Sequence, residues 1–296
     1  MSGAVLKSMT TGADHPVFEL VAGHDSGTVF ARFFGDFTLL VGGREVNRWQ
    51  AGKARELFQY LLLNRGQVVH REHLFEVLWP GRTWSPTTSS LKVAAHSVRR
   101  ILDDAPGAGR ARPAHITSQD HGYALHADGV RLDVDELDAS MAAGHDAEGR
   151  GESDLARAAY RRVGDLHTGD FLAAQRADWI TERRQFHRSA ALHALAWLRD
   201  DALRRHADAE VIRLCGRILG IDPCNEEAYQ TLILIHGRRG ELGQVREWHR
   251  LCVRRLLGDL DLNPSETTQR IFARAVRGEL RTASRSFTQA LATTSA

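Results

Sequence analysis

The hydrophobic positions of this chain change their period partway along it. From Thr28, the run VFARFFGDFTLLVGGREVNRW is dense in β-branched and aromatic residues. Gly42-Gly43 sits between its two extended segments, which predicts a hairpin. Lys53 to Asn64, KARELFQYLLLN, has the spacing of an amphipathic helix, stopped by Arg65-Gly66. QVVH is too short to stand alone and pairs with another short strand. REHLFEVL predicts a second helix, ended by Trp79-Pro80-Gly81. Pro86 to Asp103, PTTSSLKVAAHSVRRILD, predicts a third, with Leu91, Ala95, Val98 and Leu102 on one apolar face. HITSQDHGYALHA then reads as two short strands around Asp120-His121-Gly122. From residue 131 onward the pattern is helical almost throughout, and Asp133 and Asp135 lie in an extended stretch that opens the first helix.

The third helix is the one the rest is organised around. Its polar face carries Ser89, Lys92, His96, Arg99 and Arg100, and no acidic residue lies between Ser85 and Ile101. Short polar side chains can approach base edges while Arg and Lys hold phosphates, so this face suits a DNA major groove. A sheet, three helices and a closing hairpin in this order fit a winged helix-turn-helix.

The helical half contains a repeat. HADAEVIRLCGRIL and GELGQVREWHRLCV align with His206 over Gly240, Val211 over Val245, Leu214 over Trp248 and Ile218 over Cys252. An offset of about 34 residues is the tetratricopeptide period. A third, diverged copy begins near Gly151. Stacked helix pairs of this kind bury a continuous core.

Composition narrows the function. The net charge of +2 rules out a general polyanion binder. Lys7, Lys53 and Lys92 are the only lysines among 39 Lys+Arg, so arginine abundance reflects base composition and only arginine placement is informative. Cys215, Cys224 and Cys252 form no CxxC pair and suggest neither disulfides nor zinc. No HExxH, Walker loop, GxGxxG or GxSxG is present, so neither an enzyme nor a cofactor or metal protein is expected. No apolar run approaches the ~18 residues of a membrane span. The N-terminus lacks the pattern of a signal peptide, which predicts a cytoplasmic protein.

LFQYLLLNRGQVVHREHLFEVLWP, SLKVAAHSVRRIL and ITSQDHGYAL together resemble the DNA-binding domain of OmpR-type response regulators. The form in the Streptomyces antibiotic regulatory protein (SARP) family is the nearest. The matching features are a strand after the first helix, an R-E-x-L helix, the paired arginines of the third helix and a wing ending in Gly122-Tyr123. GDFL, ADWITERR, ILGIDPCNEEAY and LGDLDLNPSETT resemble the bacterial transcriptional activator domain that follows it in that family. The resemblance implies a mainly α fold with a small β portion. It places a winged helix over 28–127 and a tetratricopeptide-like activator domain over 128–277, while the aperiodic ends, 1–27 rich in Gly, Ser, Thr and Ala and 278–296 rich in Ser, Thr and Ala, read as flexible tails. No receiver domain is expected ahead of Thr28.

The resemblance also implies roles. The recognition helix enters the major groove and the wing reaches the adjacent minor groove. Ser89, Ser90, Lys92, Ala94, His96 and Ser97 would face base edges, and Arg99 and Arg100 would hold phosphates. Thr87 and Thr88 would cap the helix or donate to a phosphate. Gln119 and His121 would act from the wing. Ser97 and Gln119 stand where many OmpR-type domains carry Arg. Arg82 and Trp84, in the loop before the recognition helix, would face RNA polymerase. The implied function is a pathway-specific activator of a secondary-metabolite cluster that binds direct repeats in double-stranded promoter DNA as a homodimer. The alternative is a helical-repeat scaffold with a degenerate winged helix.

Overall fold

The computed structural model describes residues 29–41, 44–46, 49, 52–83, 85, 89–103, 114–127 and 129–281. They divide into two compact units, 1–139 with 166–187, and 140–165 with 188–296. The division falls inside helices rather than in a linker. The tail expected over 1–27 lies outside the described residues.

The first unit holds two small sheets and three helices. Strands β1 (Val29–Arg32), β2 (Thr38–Val41) and β3 (Arg44–Glu45) form an antiparallel meander with Phe30 opposite Leu40. Sequence pattern predicts one hairpin at Gly42-Gly43, which lie outside the described residues. The structure adds a second turn, Phe33 to Phe37, between β1 and β2. Helices α1 (Gly52–Leu63) and α2 (Arg71–Leu78) flank β4 (Val69–His70). Helix α3 spans Ser90–Asp103, and β5 (His115–Gln119) and β6 (Gly122–His126) make the wing hairpin. QVVH finds its partner there, as β4 pairs with β6. Leu57, Phe58, Leu61, Leu74, Leu91 and Val98 are fully or almost fully buried, so the predicted apolar faces of α1, α2 and α3 are the faces that bury.

Two later stretches complete this unit. Strand β7 (Arg131–Leu132) pairs in parallel with β1, giving the order β3-β2-β1-β7. Asp133, the first residue of α4 (Asp133–Gly149), is 2% exposed. Its two oxygens accept the Phe33 N–H at 2.9 and 2.8 Å, and Oδ2 also accepts the Phe34 N–H at 2.9 Å. Burial pushes this carboxyl up to about 7, and the N–H groups of Phe34, Phe33 and Val134 pull it back down. On the other side of the same turn, the Leu172 N–H donates to Phe33 O and the Gly35 N–H to Asp170 O. Phe171 stacks on Phe33 at 5.6 Å.

His187 is 3% exposed in this aromatic cluster, beside Phe34, Phe171 and Phe186. Burial pushes its imidazole from 6.5 down to about 4, with smaller contributions from the Arg183 and His167 charges. The folded value lies below the unfolded one. The unfolded chain therefore takes the proton first, and stability is lost as pH falls from 6.5 towards 4. Each pH unit in that window costs about 1.4 kcal/mol. Denaturant melts of the native protein and a His187→Phe variant are expected to diverge by about 3 kcal/mol between about pH 7 and pH 4. Parallel pH profiles would place the acid sensitivity elsewhere.

The second unit is helical. It takes in the end of α4, α5 (Ser153–Leu166) up to residue 165, the end of α6 (Asp178–Arg204), α7 (Asp208–Ile221), α8 (Glu226–Arg238), α9 (Leu242–Leu260) and α10 (Glu266–Val276). Val211 and Val245, equivalent in the repeat, are both fully buried. The turns are equivalent too. Gly151, His206, Gly240 and Gly278 all have positive φ, at 73°, 57°, 74° and 77°. In each case the next residue's N–H closes the turn five residues back, from Glu152 to Ala147 O, Ala207 to Ala202 O, Glu241 to His236 O and Glu279 to Arg274 O. This is the Schellman ending, in which the left-handed residue is best served by glycine. The described residues run to 281, and Leu280 packs against the cluster of Ile233, Val245 and Ala275.

His206 is the one non-glycine of these four turns. A side chain in the left-handed region costs about 1–2 kcal/mol, and glycine gives back part of that in unfolded-chain entropy. His206→Gly is expected to stabilise the protein by about 0.5–1 kcal/mol. A thermal melt with an unchanged or lower midpoint would show that His206 makes a compensating contact.

Candidate nucleic-acid interface

Helix α3 shows why the sequence places a site here. Its buried side is Leu91, Ala94, Ala95, Ser97, Val98, Ile101 and Leu102. Its outward stripe is Ser89, Val93, His96 and Arg100, a spacing of four, three and four residues that keeps side chains on one face. All four are exposed, with Ser90 and Lys92 exposed beside them. Lys92 and Arg100 form no ion pair among the described residues, so both charges are available.

Two expectations are corrected. Ala94 is 2% exposed and Ser97 is 9% exposed. Both turn toward the core of the winged helix, where no base edge can reach them. Ser97 stands where related domains often carry Arg, and in this chain that position is spent on packing. Val93 is 55% exposed and joins the outward face, although its residue type suggests core. The i, i+4, i+7 spacing from Ser89 is the sequence signal that identifies it. Thr87, Thr88 and Trp84 lie outside the described residues. Arg82 is exposed.

Arg99 is half-buried. Its Nε donates to Ile116 O of β5 at 3.3 Å, and its guanidinium lies 5.9 Å from the Tyr123 ring centroid. It ties α3 to the wing. In the wing, Ser118, Gln119, Asp120 and His121 are exposed, and the His121 ring lies parallel to that of His70 at 6.3 Å. Gly122 is held against β4. A Cβ there would sit 2.2 Å from Val69 O, so only glycine permits this approach. The arrangement is a basic helix and an exposed hairpin tip, locked to one another by Arg99 and Tyr123. No cluster of three or more potential metal ligands occurs among the described residues. No helix among them is long and apolar enough to cross a membrane.

Comparisons with known proteins agree with this geometry. Residues 49–125 match the family described as transcriptional regulatory protein, C terminal. Residues 132–277 match the bacterial transcriptional activator domain. Regulatory protein DnrI of Streptomyces peucetius is 29% identical over 229 residues, covering 75% of this chain and 82% of that protein. The structure of Mycobacterium tuberculosis EmbR in complex with a low affinity phosphopeptide superposes with a TM-score of 0.65 at 19% identity. That match covers 84% of this chain and 65% of EmbR, so this chain spans less than two thirds of EmbR's length, and the likeness is one of fold. The two matched domains, in this order, together with the similarity to DnrI, make this chain a transcriptional activator of the SARP family.

Proposed function

We propose that the chain binds direct repeats in double-stranded promoter DNA as a homodimer and recruits RNA polymerase to genes of a secondary-metabolite cluster. The observation that carries the DNA reading is the outward face of α3, which is exposed, free of acidic groups from Ser89 to Arg100 and bordered by the wing. Ser89, Ser90, Val93 and His96 meet base edges, Lys92 and Arg100 hold phosphates, and Gln119 and His121 act from the wing. Arg82, exposed in the loop before α3, is the polymerase-facing residue.

Fluorescence anisotropy on fragments from the gene's own neighbourhood tests the reading. The expected result is one fragment preferred over random DNA, with log affinity falling by about 0.9 per contacted phosphate per log of salt. Binding without preference, or none at any salt, supports the scaffold alternative instead. Changing the spacing between the half-sites then reports whether two copies bind side by side.

A further inference from the structure

We infer that Arg71 is the positioning residue of the wing, and that Gln119 and His121 reach DNA only in the shape its grip imposes. The inference rests on the DNA reading above. Four consecutive wing residues are bonded to this one arginine. Its backbone N–H donates to His121 O at 2.9 Å. Its Nη1 donates to Asp120 O at 2.9 Å, and its Nη2 to Gln119 O at 2.9 Å and Ser118 Oγ at 3.4 Å. The guanidinium lies 5.6 Å from the centroid of the Tyr123 ring, which Arg99 of α3 also approaches.

The consequence is geometric. Arg71 opens α2, directly after β4, and β4 is hydrogen-bonded to β6. The wing tip is therefore fixed to α2 by Arg71, while Arg99 ties strand β5 to α3 at Ile116. With their backbone carbonyls occupied, Gln119 and Asp120 cannot re-orient freely, and the side chains at 119 and 121 stay outside. A tip held in its bound shape loses less entropy on docking. A phosphate-binding role predicts something different. Lysine can replace arginine at a phosphate as a point charge, but it cannot span several carbonyls with a planar fork.

The test uses the full chain on the fragment the native protein selects, with Arg71→Ala and Arg71→Lys. Each variant is expected to keep its circular dichroism and to bind about tenfold more weakly. Hydroxyl-radical protection in the minor groove beside the α3 contacts is expected to vanish, while dimethyl sulfate protection of guanine N7 in the major groove persists. Adding Gln119→Ala and His121→Ala to Arg71→Ala is expected to cost no further affinity. Restoration by lysine, or minor-groove protection that survives Arg71→Ala, overturns the inference while leaving the DNA reading intact. Loss of amide-exchange protection throughout the winged helix, rather than at residues 118–122, would make Arg71 a folding residue and also overturn it. Native protein that selects no fragment overturns the DNA reading and this inference with it.

Discussion

Replacing Lys92, Arg99 and Arg100 together by alanine is expected to weaken binding to a selected promoter fragment about a thousandfold at physiological salt. Lys92 and Arg100 are exposed on α3 and unpaired among the described residues, so their removal deletes two accessible charges from the face proposed to meet DNA. Removing one phosphate interaction lowers the log–log salt slope by about 0.9. Arg99 contributes in two ways, through its charge and through its bond to Ile116 O, so its removal also loosens the wing. Three penalties of about 1.4 kcal/mol each give the expected factor. The slope separates charge from fold. A drop of about two to three units with unchanged circular dichroism assigns the effect to phosphates. An unchanged slope, whatever the affinity, would move DNA binding away from this helix. The same substitutions are expected to weaken binding to random DNA as well, because phosphates carry no sequence information. Discrimination between fragments is left to Ser89, Ser90, Val93 and His96.

The recognition helix is legible in the sequence because its two faces differ in kind. Leu91, Ala95, Val98 and Leu102 repeat at helical spacing, and arginines and a lysine fill the gaps between them. Its finer assignment is less legible. Residue type alone puts Ala94 and Ser97 outside and Val93 inside, whereas their angular positions give the opposite. A small residue in a helix facing a tightly packed core buries readily, and a β-branched residue one position away is turned out. The helical repeat is legible for a different reason. Its period fixes both the core valines, Val211 and Val245, and the left-handed residues, His206 and Gly240. Arg71 carries no sequence signal beyond its place in an R-E-x-L run, because its partners are mostly carbonyl groups, which every residue has. The extent of the compact units is less legible than the boundary between the two matched families, which fall at 49–125 and 132–277. Pattern changes near residue 128, from strand to helix, yet the first compact unit takes in 131–139 and 166–187. Long-range pairing of β7 with β1 and of Phe171 with Phe34 leaves no local periodicity to read.

Asp133→Asn is expected to destabilise the first unit by about 2 kcal/mol, through a buried hydrogen-bond donor left without an acceptor. The carboxylate accepts from two backbone N–H groups, Phe33 and Phe34, and it does so with both oxygens. Asparagine keeps the size but offers one oxygen and one NH2. In either orientation the NH2 meets an N–H donor at hydrogen-bond distance, and a buried donor is left without an acceptor. A buried donor left unsatisfied costs about 1–3 kcal/mol. Asp133→Ala leaves both N–H groups without the carboxylate in a buried site, and is expected to be as severe. The damage spreads because the Phe33–Phe34 turn is also where Leu172 and Thr168 attach and where Phe171 stacks. Denaturant melts followed by tryptophan fluorescence should show the first unit unfolding at lower denaturant, through Trp49 and Trp179, which pack against its aromatic rings. The same reasoning applies to chain length. A fragment ending at residue 127 carries every winged-helix element but lacks Asp133, β7 and Phe171. It is expected to be less stable than a fragment ending at 187 by at least as much as Asp133→Asn. Equal stability of the two fragments would show that the first sheet closes on its own, and that the carboxylate at 133 serves the helix it begins rather than the turn it caps.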